Sequence, residues 1–156
     1  MQRAKQDAFQ YAVTFNASTV VGTNDVQTLT FLADEEFTWT HGIAHIVITA
    51  SGVPLVMGNQ SFTAAGGVPS CPFLLEIFDS GKSRSLMNTP VPLDVLFRVP
   101  TFSGPRELPF PRSISGRTTW RFTLTRQFAG QIDNAGATVT PSLTVRLTLD
   151  GFKTAA

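Results

Sequence analysis

Nine arginines stand against three lysines in this chain. Six of them, Arg98, Arg106, Arg112, Arg117, Arg121 and Arg126, fall within 29 positions. A guanidinium makes flat, two-pronged contacts and tolerates partial burial better than an ammonium, so such a run fits a face turned toward a neighbouring subunit. A groove for nucleic acid is the rival reading, but it normally brings exposed aromatics and a larger positive balance than the net charge of +1 found here. Solvated strand faces carrying unrelated arginines are the third.

The other chemistry-bearing residues are sparse. His41 and His45, the only histidines, have the i, i+4 spacing that would bring two metal ligands together on a helix. Gly42 and the surrounding turn and strand residues argue instead for one histidine in a loop and one on a strand. Asp34-Glu35-Glu36 is the densest acidic cluster and would contribute to a calcium loop only with further alternating ligands, so a solvated turn is expected. Cys71, the single cysteine, follows Ser70 and precedes Pro72 with no histidine close in sequence; a nucleophilic thiol needs such a base, and a half-buried structural thiol is the alternative. One cysteine also excludes an intramolecular disulfide framework. No Gly-x-Ser-x-Gly elbow and no glycine-rich phosphate loop occurs. The sequence therefore points to no enzyme, no metal and no cofactor.

The elements that must position these residues have a period of two. Trp120, Phe122 and Leu124 alternate with Thr119, Arg121, Thr123 and Thr125; Leu143, Val145, Leu147 and Leu149 alternate with Thr144, Arg146 and Thr148. Successive strand side chains point to opposite faces, so each run has one apolar and one wet side. Further strands are predicted at 12–15, 27–32, 37–40 and 44–50, and at 73–78, where only Glu76 interrupts two apolar faces. Turn residues separate them at 22–25, 33–36, 51–52, 79–82 and 133–136. Helix is expected only as a polar turn or two within 3–11 and a single turn at 92–97, where Pro92 suits an early helical position. The pattern predicts an all-β, antiparallel β-sandwich or barrel.

With 156 residues the chain has the length of one domain, and it divides here into an N-terminal arm, 1–12, and a single β-sandwich domain, 13–156. Only 15% of residues are charged, against about 25% in an average soluble domain. Thirteen phenylalanines against one tyrosine demand either a large core or a surface covered by another subunit. Residues 52–72 and 98–118 are expected to be long, proline-rich loops, the second holding Pro100, Pro105, Pro109 and Pro111 among Phe102, Leu108 and Phe110. The first residues lack a signal peptide's apolar run and no stretch is apolar enough to span a membrane, so synthesis in the cytosol is expected, with no membrane partner.

From residue 73 onward the order of segments resembles a group of small tailed-bacteriophage virion proteins of the capsid decoration, or cement, type. The likeness runs through Phe73-Leu74-Leu75-Glu76-Ile77-Phe78-Asp79-Ser80-Gly81, Arg84-Ser85-Leu86-Met87-Asn88, Pro90-Val91-Pro92-Leu93, Arg106-Glu107-Leu108-Pro109-Phe110-Pro111-Arg112 and a last strand ending Leu149-Asp150-Gly151-Phe152-Lys153. The N-terminal half fits more loosely. The resemblance implies a jelly-roll-like sandwich that self-associates as a dimer or trimer and clamps the major capsid protein from outside, in the virion and, during assembly, the host cytoplasm. Some relatives of this kind sit at the head–tail junction or on the tail; a receptor- or carbohydrate-binding module is the rival outside the group. On this reading the arm and the loop 98–118 carry the contacts. Phe9, Phe102, Arg106, Phe110 and Arg112 are the expected interface residues, because aromatic and arginine anchors dominate interface energetics. No nucleic acid is expected as a partner.

Overall fold

A computed structural model describes residues 6–17, 20–33, 35–50, 53–55, 71–97, 106–127, 132–134, 137–139 and 142–155. The chain order is β1 (Gln6–Ala17), β2 (Asn24–Thr30), β3 (Glu35–Ala50), β4 (Val53–Leu55), β5 (Phe73–Asp79), β6 (Arg84–Ser85), β7 (Val91–Pro92), α1 (Leu93–Leu96), β8 (Arg106–Ile114), β9 (Thr119–Arg126), β10 (Ile132–Asn134), β11 (Ala137–Val139) and β12 (Ser142–Ala155). One sheet runs β1-β12-β3, with β4 and β8 both pairing β3; the second runs β2-β9-β5, with β6 and β7 both pairing β5; β10 and β11 form a separate hairpin. All pairings are antiparallel. The two sheets pack face to face as an all-β sandwich.

The expected alternation decides which faces meet. Leu143, Val145, Leu147 and Leu149 of β12 are buried, as are Tyr11, Val13, Phe15 and Ala17 of β1 beside it. Phe73, Leu75 and Ile77 of β5 and Trp120, Phe122 and Leu124 of β9 face them from the second sheet. Burying each large apolar side chain contributes about 1.5–3 kcal/mol, so these four strands supply most of the core. Aromatic rings join the two layers. Phe31 meets Tyr11 at 4.8 Å and Trp120 at 5.1 Å, both edge-on, and Trp39 meets Trp120 at 6.1 Å. Tyr11 keeps its polar end satisfied by accepting a 3.1 Å hydrogen bond from the Leu32 backbone N–H.

Three sequence expectations need correction. Residues 6–12 are no arm or helical turn but the first half of a 12-residue strand, paired with β12 from Gln6↔Thr154 through Ala12↔Thr148. The strands expected at 37–40 and 44–50 are one 16-residue strand running through His41 and Gly42, so His41 is no loop residue. The stretch 106–114, expected as loop, is β8. Prolines escaped the no-ladder rule there because β8 leaves the ladder around them. Arg112 pairs Trp39 and Glu107 pairs His41, so Leu108–Pro111 leave the ladder between the two contacts. The helical turn at 92–97 does form, as α1 following Pro92.

β3 is irregular at the same place. Thr40 is the extra residue between Asp150↔His41 and Gly151↔Trp39, and its Oγ1 donates to the Asp150 carbonyl at 3.1 Å. α1 lies directly on the neighbouring Gly42, where a Cβ would stand 2.9 Å from the Leu96 carbonyl oxygen. The bulge of β3, the excursion of β8 and α1 therefore sit at one end of the sandwich, and they build the surface described next.

Candidate functional site

Where β8 leaves its ladder, Leu108 turns inward and is buried, while Phe110 is 83% exposed. Between them opens an apolar cleft of about 260 Å³. Its walls include Trp39 from β3, Ile77 from β5, Leu86 and Met87 after β6, and Leu96 from α1; Pro109, Phe110 and Arg112 form the β8 side. Trp39 stacks on Phe97 at 5.5 Å and donates its indole N–H to the His41 carbonyl at 2.6 Å, which locks the bulge. The cleft thus has rigid walls, because its aromatic wall belongs to the core.

The fates of the phenylalanines answer the question of their surplus. Phe15, Phe31, Phe37, Phe73, Phe97 and Phe122 are buried, and Phe9, Phe78 and Phe152 are half-buried. Phe62, Phe102 and Phe128 lie outside the described residues. Among those described, Phe110 alone presents its ring to solvent.

The five expected interface residues do not form one patch. Phe110 and the exposed Arg112 sit together on β8 at the cleft. Arg106 opens β8 opposite Gly42, with its side chain outside the description. Phe102 is also outside it. Phe9 is no free arm residue: it packs on the core, 4.9 Å from Tyr11, and the Lys153 ammonium covers its ring at 3.4 Å. The arginine run is likewise dispersed. Arg121 lies over Phe78 on the outer face of β9, at 4.9 Å. Arg126 is buried with its guanidinium over Phe73, and burial pulls its pKa below the ordinary arginine value. Arg117 caps the β8–β9 turn in the left-handed region, at φ 62°. The alternation that placed Arg121 and Arg126 on opposite faces was legible; the sequence run of arginines misled.

The remaining candidates sit apart. His41 is half-buried with Nδ1 2.9 Å from the Thr40 Oγ1, and His45 is exposed on the outer face opposite Arg146. Asp34 lies outside the described residues, and Glu35 and Glu36 open β3. Cys71 is half-buried and donates weakly to the Phe73 carbonyl at 3.7 Å. Burial pushes its thiol pKa up and the Asp94 charge adds to this, while backbone hydrogen bonds, first to Phe73, work the other way. A thiol held protonated is a weak nucleophile. Because the neutral form is favoured only in the folded chain, its contribution to stability is complete below the unfolded thiol's pKa and is lost as pH rises toward the folded value. Alkylation of Cys71 in the native protein is therefore expected to switch on at higher pH than in the urea-unfolded chain. Mass spectrometry of iodoacetamide-treated samples across alkaline pH checks this, and coincident profiles would contradict it.

Comparison with protein-family profiles, curated proteins and solved structures finds no match.

Proposed function

We propose that this protein is a structural subunit of a tailed-phage particle, of the capsid decoration type, which docks on the major capsid shell and on copies of itself through the bulge of β8. The observation that carries the proposal is Phe110, a large ring exposed at 83% beside a preformed apolar cleft, with the Arg112 guanidinium next to it. An exposed aromatic and an arginine around an apolar hollow are what a covered contact requires, and a site of catalysis does not. The strand order supports the finer reading of a jelly roll. β1-β12-β3-β8 facing β2-β9-β5-β6 is the interleaved order of two Greek keys, an architecture used by capsid proteins and also by lectins.

The lectin alternative is weaker on one specific count. Sugar platforms are built from exposed tryptophan or tyrosine, and both tryptophans and the only tyrosine of this chain are buried. A place at the head–tail junction or on the tail would use the same surface and differ in copy number.

Converting Phe110 and Arg112 together to alanine tests the proposal. Both side chains are exposed, so stability is expected to stay within about 0.5 kcal/mol of the parent. Loss of one good anchor costs about 2 kcal/mol, roughly thirtyfold in Kd, so the variant should wash off purified particles that retain the parent. It should also sediment as monomer where the parent self-associates. Unchanged occupancy on particles, or a parent with no affinity for any shell, would overturn the assignment.

A further inference from the structure

On the other flank of β8 lies a second, chemically opposite hollow. The β5–β6 turn and the β8–β9 connection enclose a crevice of about 240 Å³. Lys82 reaches it from the first and Thr118 from the second, Arg84 of β6 and Arg112 of β8 stand beside them, and Asp79 and Trp120 form part of its wall. Asp79 and Trp120 are directly paired across the β5–β9 ladder, and both are inward-facing and buried, at 4% and 2% exposure.

The carboxylate has a structural task. Asp79 Oδ1 accepts the backbone N–H groups of Gly81 at 3.0 Å and Lys82 at 3.2 Å, which folds the turn that brings Lys82 and Arg84 round. The tryptophan is different. Its indole Nε1 is closed off from solvent and has no hydrogen-bond partner among the described residues. Three cations against one committed carboxylate give the crevice a positive balance, and a hollow lets low-dielectric walls concentrate that field.

We propose that this crevice binds an oxyanion, a carboxylate or a phosphate group, held by Lys82, Arg84 and Arg112 beside the wall that Trp120 helps to form. Charged acceptors make the shortest and strongest bonds to such donors, and arginine suits both anions because its fork matches two oxygens at once. The chemistry is shared by two sources, a free phosphate-type ligand and an acidic side chain of a docked protein. The site shares Arg112 with the docking cleft, but Phe110 does not line it, and Lys82 and Arg84 do not line the cleft, so variants at those two positions separate the two proposals.

The two tryptophans provide the probe. In a ¹⁵N-labelled sample the chain gives two indole N–H signals, and that of Trp39, already bonded to the His41 carbonyl, serves as reference. Inorganic phosphate and N-acetyl-glutamate amide are titrated separately, with sodium chloride holding ionic strength constant. The Trp120 indole signal, at the crevice wall, is expected to shift and saturate while the Trp39 signal stays in place. Lys82→Ala with Arg84→Ala, both exposed positions, should weaken the response roughly tenfold or more. Phe110→Ala should leave it intact. Saturation at lower phosphate than glutamate amide assigns the site to a free anion, and the reverse order to an acidic partner. No saturable shift with either anion, or a shift that survives loss of both cations, overturns the proposal.

Discussion

Replacing Gly151 with valine is expected to leave the chain unable to hold its native fold. Gly151 follows the register shift in β12 and lies opposite Trp39, one residue before the bulging Thr40 of β3. A Cβ there would overlap the Thr38 carbonyl oxygen, stand 2.9 Å from its carbon and press on the Phe37 ring at 3.0 Å. Neither neighbour has room to move. Thr38 is in the ladder with Ser113 and Phe152, and Phe37 is buried against Tyr11 and Phe31. β12 cannot retreat either, because β1 holds its other edge from residue 143 to residue 154. The expected loss is about 4 kcal/mol or more, a large part of the roughly 5–15 kcal/mol by which a domain is usually stable. Alanine should already be severe, since the offending atom is the Cβ itself.

Gly22 provides the contrast. Its φ of 83° favours glycine, yet a Cβ there meets nothing within 4 Å. Gly22→Ala should therefore cost only about 1–2 kcal/mol from the backbone alone. Denaturant unfolding followed by circular dichroism measures both variants. A Gly151→Ala protein as stable as Gly22→Ala would show that the bulge can relax and that the steric account is wrong.

The regular part of this fold is written plainly in the sequence. Threonine and arginine alternating with large apolar residues identify β9 and β12, and the central position of β5 follows from its two apolar faces. Irregular places hid the rest. The period of two in fact runs back through Val13 and Tyr11 to Phe9, but Ala8, Ala12 and the polar Gln6, Asp7 and Gln10 mask it as an arm or helical turn. Gly42 and Gly151 look like strand breakers, whereas each marks a point where another backbone comes too close for a side chain. Pro109 and Pro111 look like loop because proline cannot donate to a ladder, and β8 solves this by leaving the ladder only there.

The candidate surfaces were half legible for the same reason. Phe110 and Arg112 stand out in sequence as an aromatic between two prolines and a cation directly after them. The oxyanion crevice does not, since Asp79 and Arg84 lie far along the chain from Arg112 and Trp120, and the two pairs meet only through the β5–β9 ladder and the β8–β9 connection. A long-range site of this kind needs the register before it can be seen.

Trp39→Ala is expected to be the most damaging single truncation at the proposed docking end. The indole is 2% exposed, stacks on Phe97 and touches Trp120 edge-on, and its N–H satisfies the His41 carbonyl at 2.6 Å. Removing a buried tryptophan costs about 3–5 kcal/mol through lost transfer energy and the cavity left behind. Here the void would merge with the 260 Å³ cleft that Trp39 helps to line, so the core would open to water along β8 instead of enclosing a sealed hole. Trp39→Phe separates the two contributions. It keeps a ring against Phe97 but loses the hydrogen bond, and should cost about 1–3 kcal/mol. If the cleft receives a partner's side chain, the phenylalanine variant should also dock more weakly than its stability loss explains, because its wall has moved while Phe110 has not. Urea unfolding gives the stability order, and sedimentation with particles gives the docking order. Equal stability of the alanine and phenylalanine variants would mean that the ring is not a packed part of the core, and the cleft would then lose the rigid wall on which the docking proposal depends.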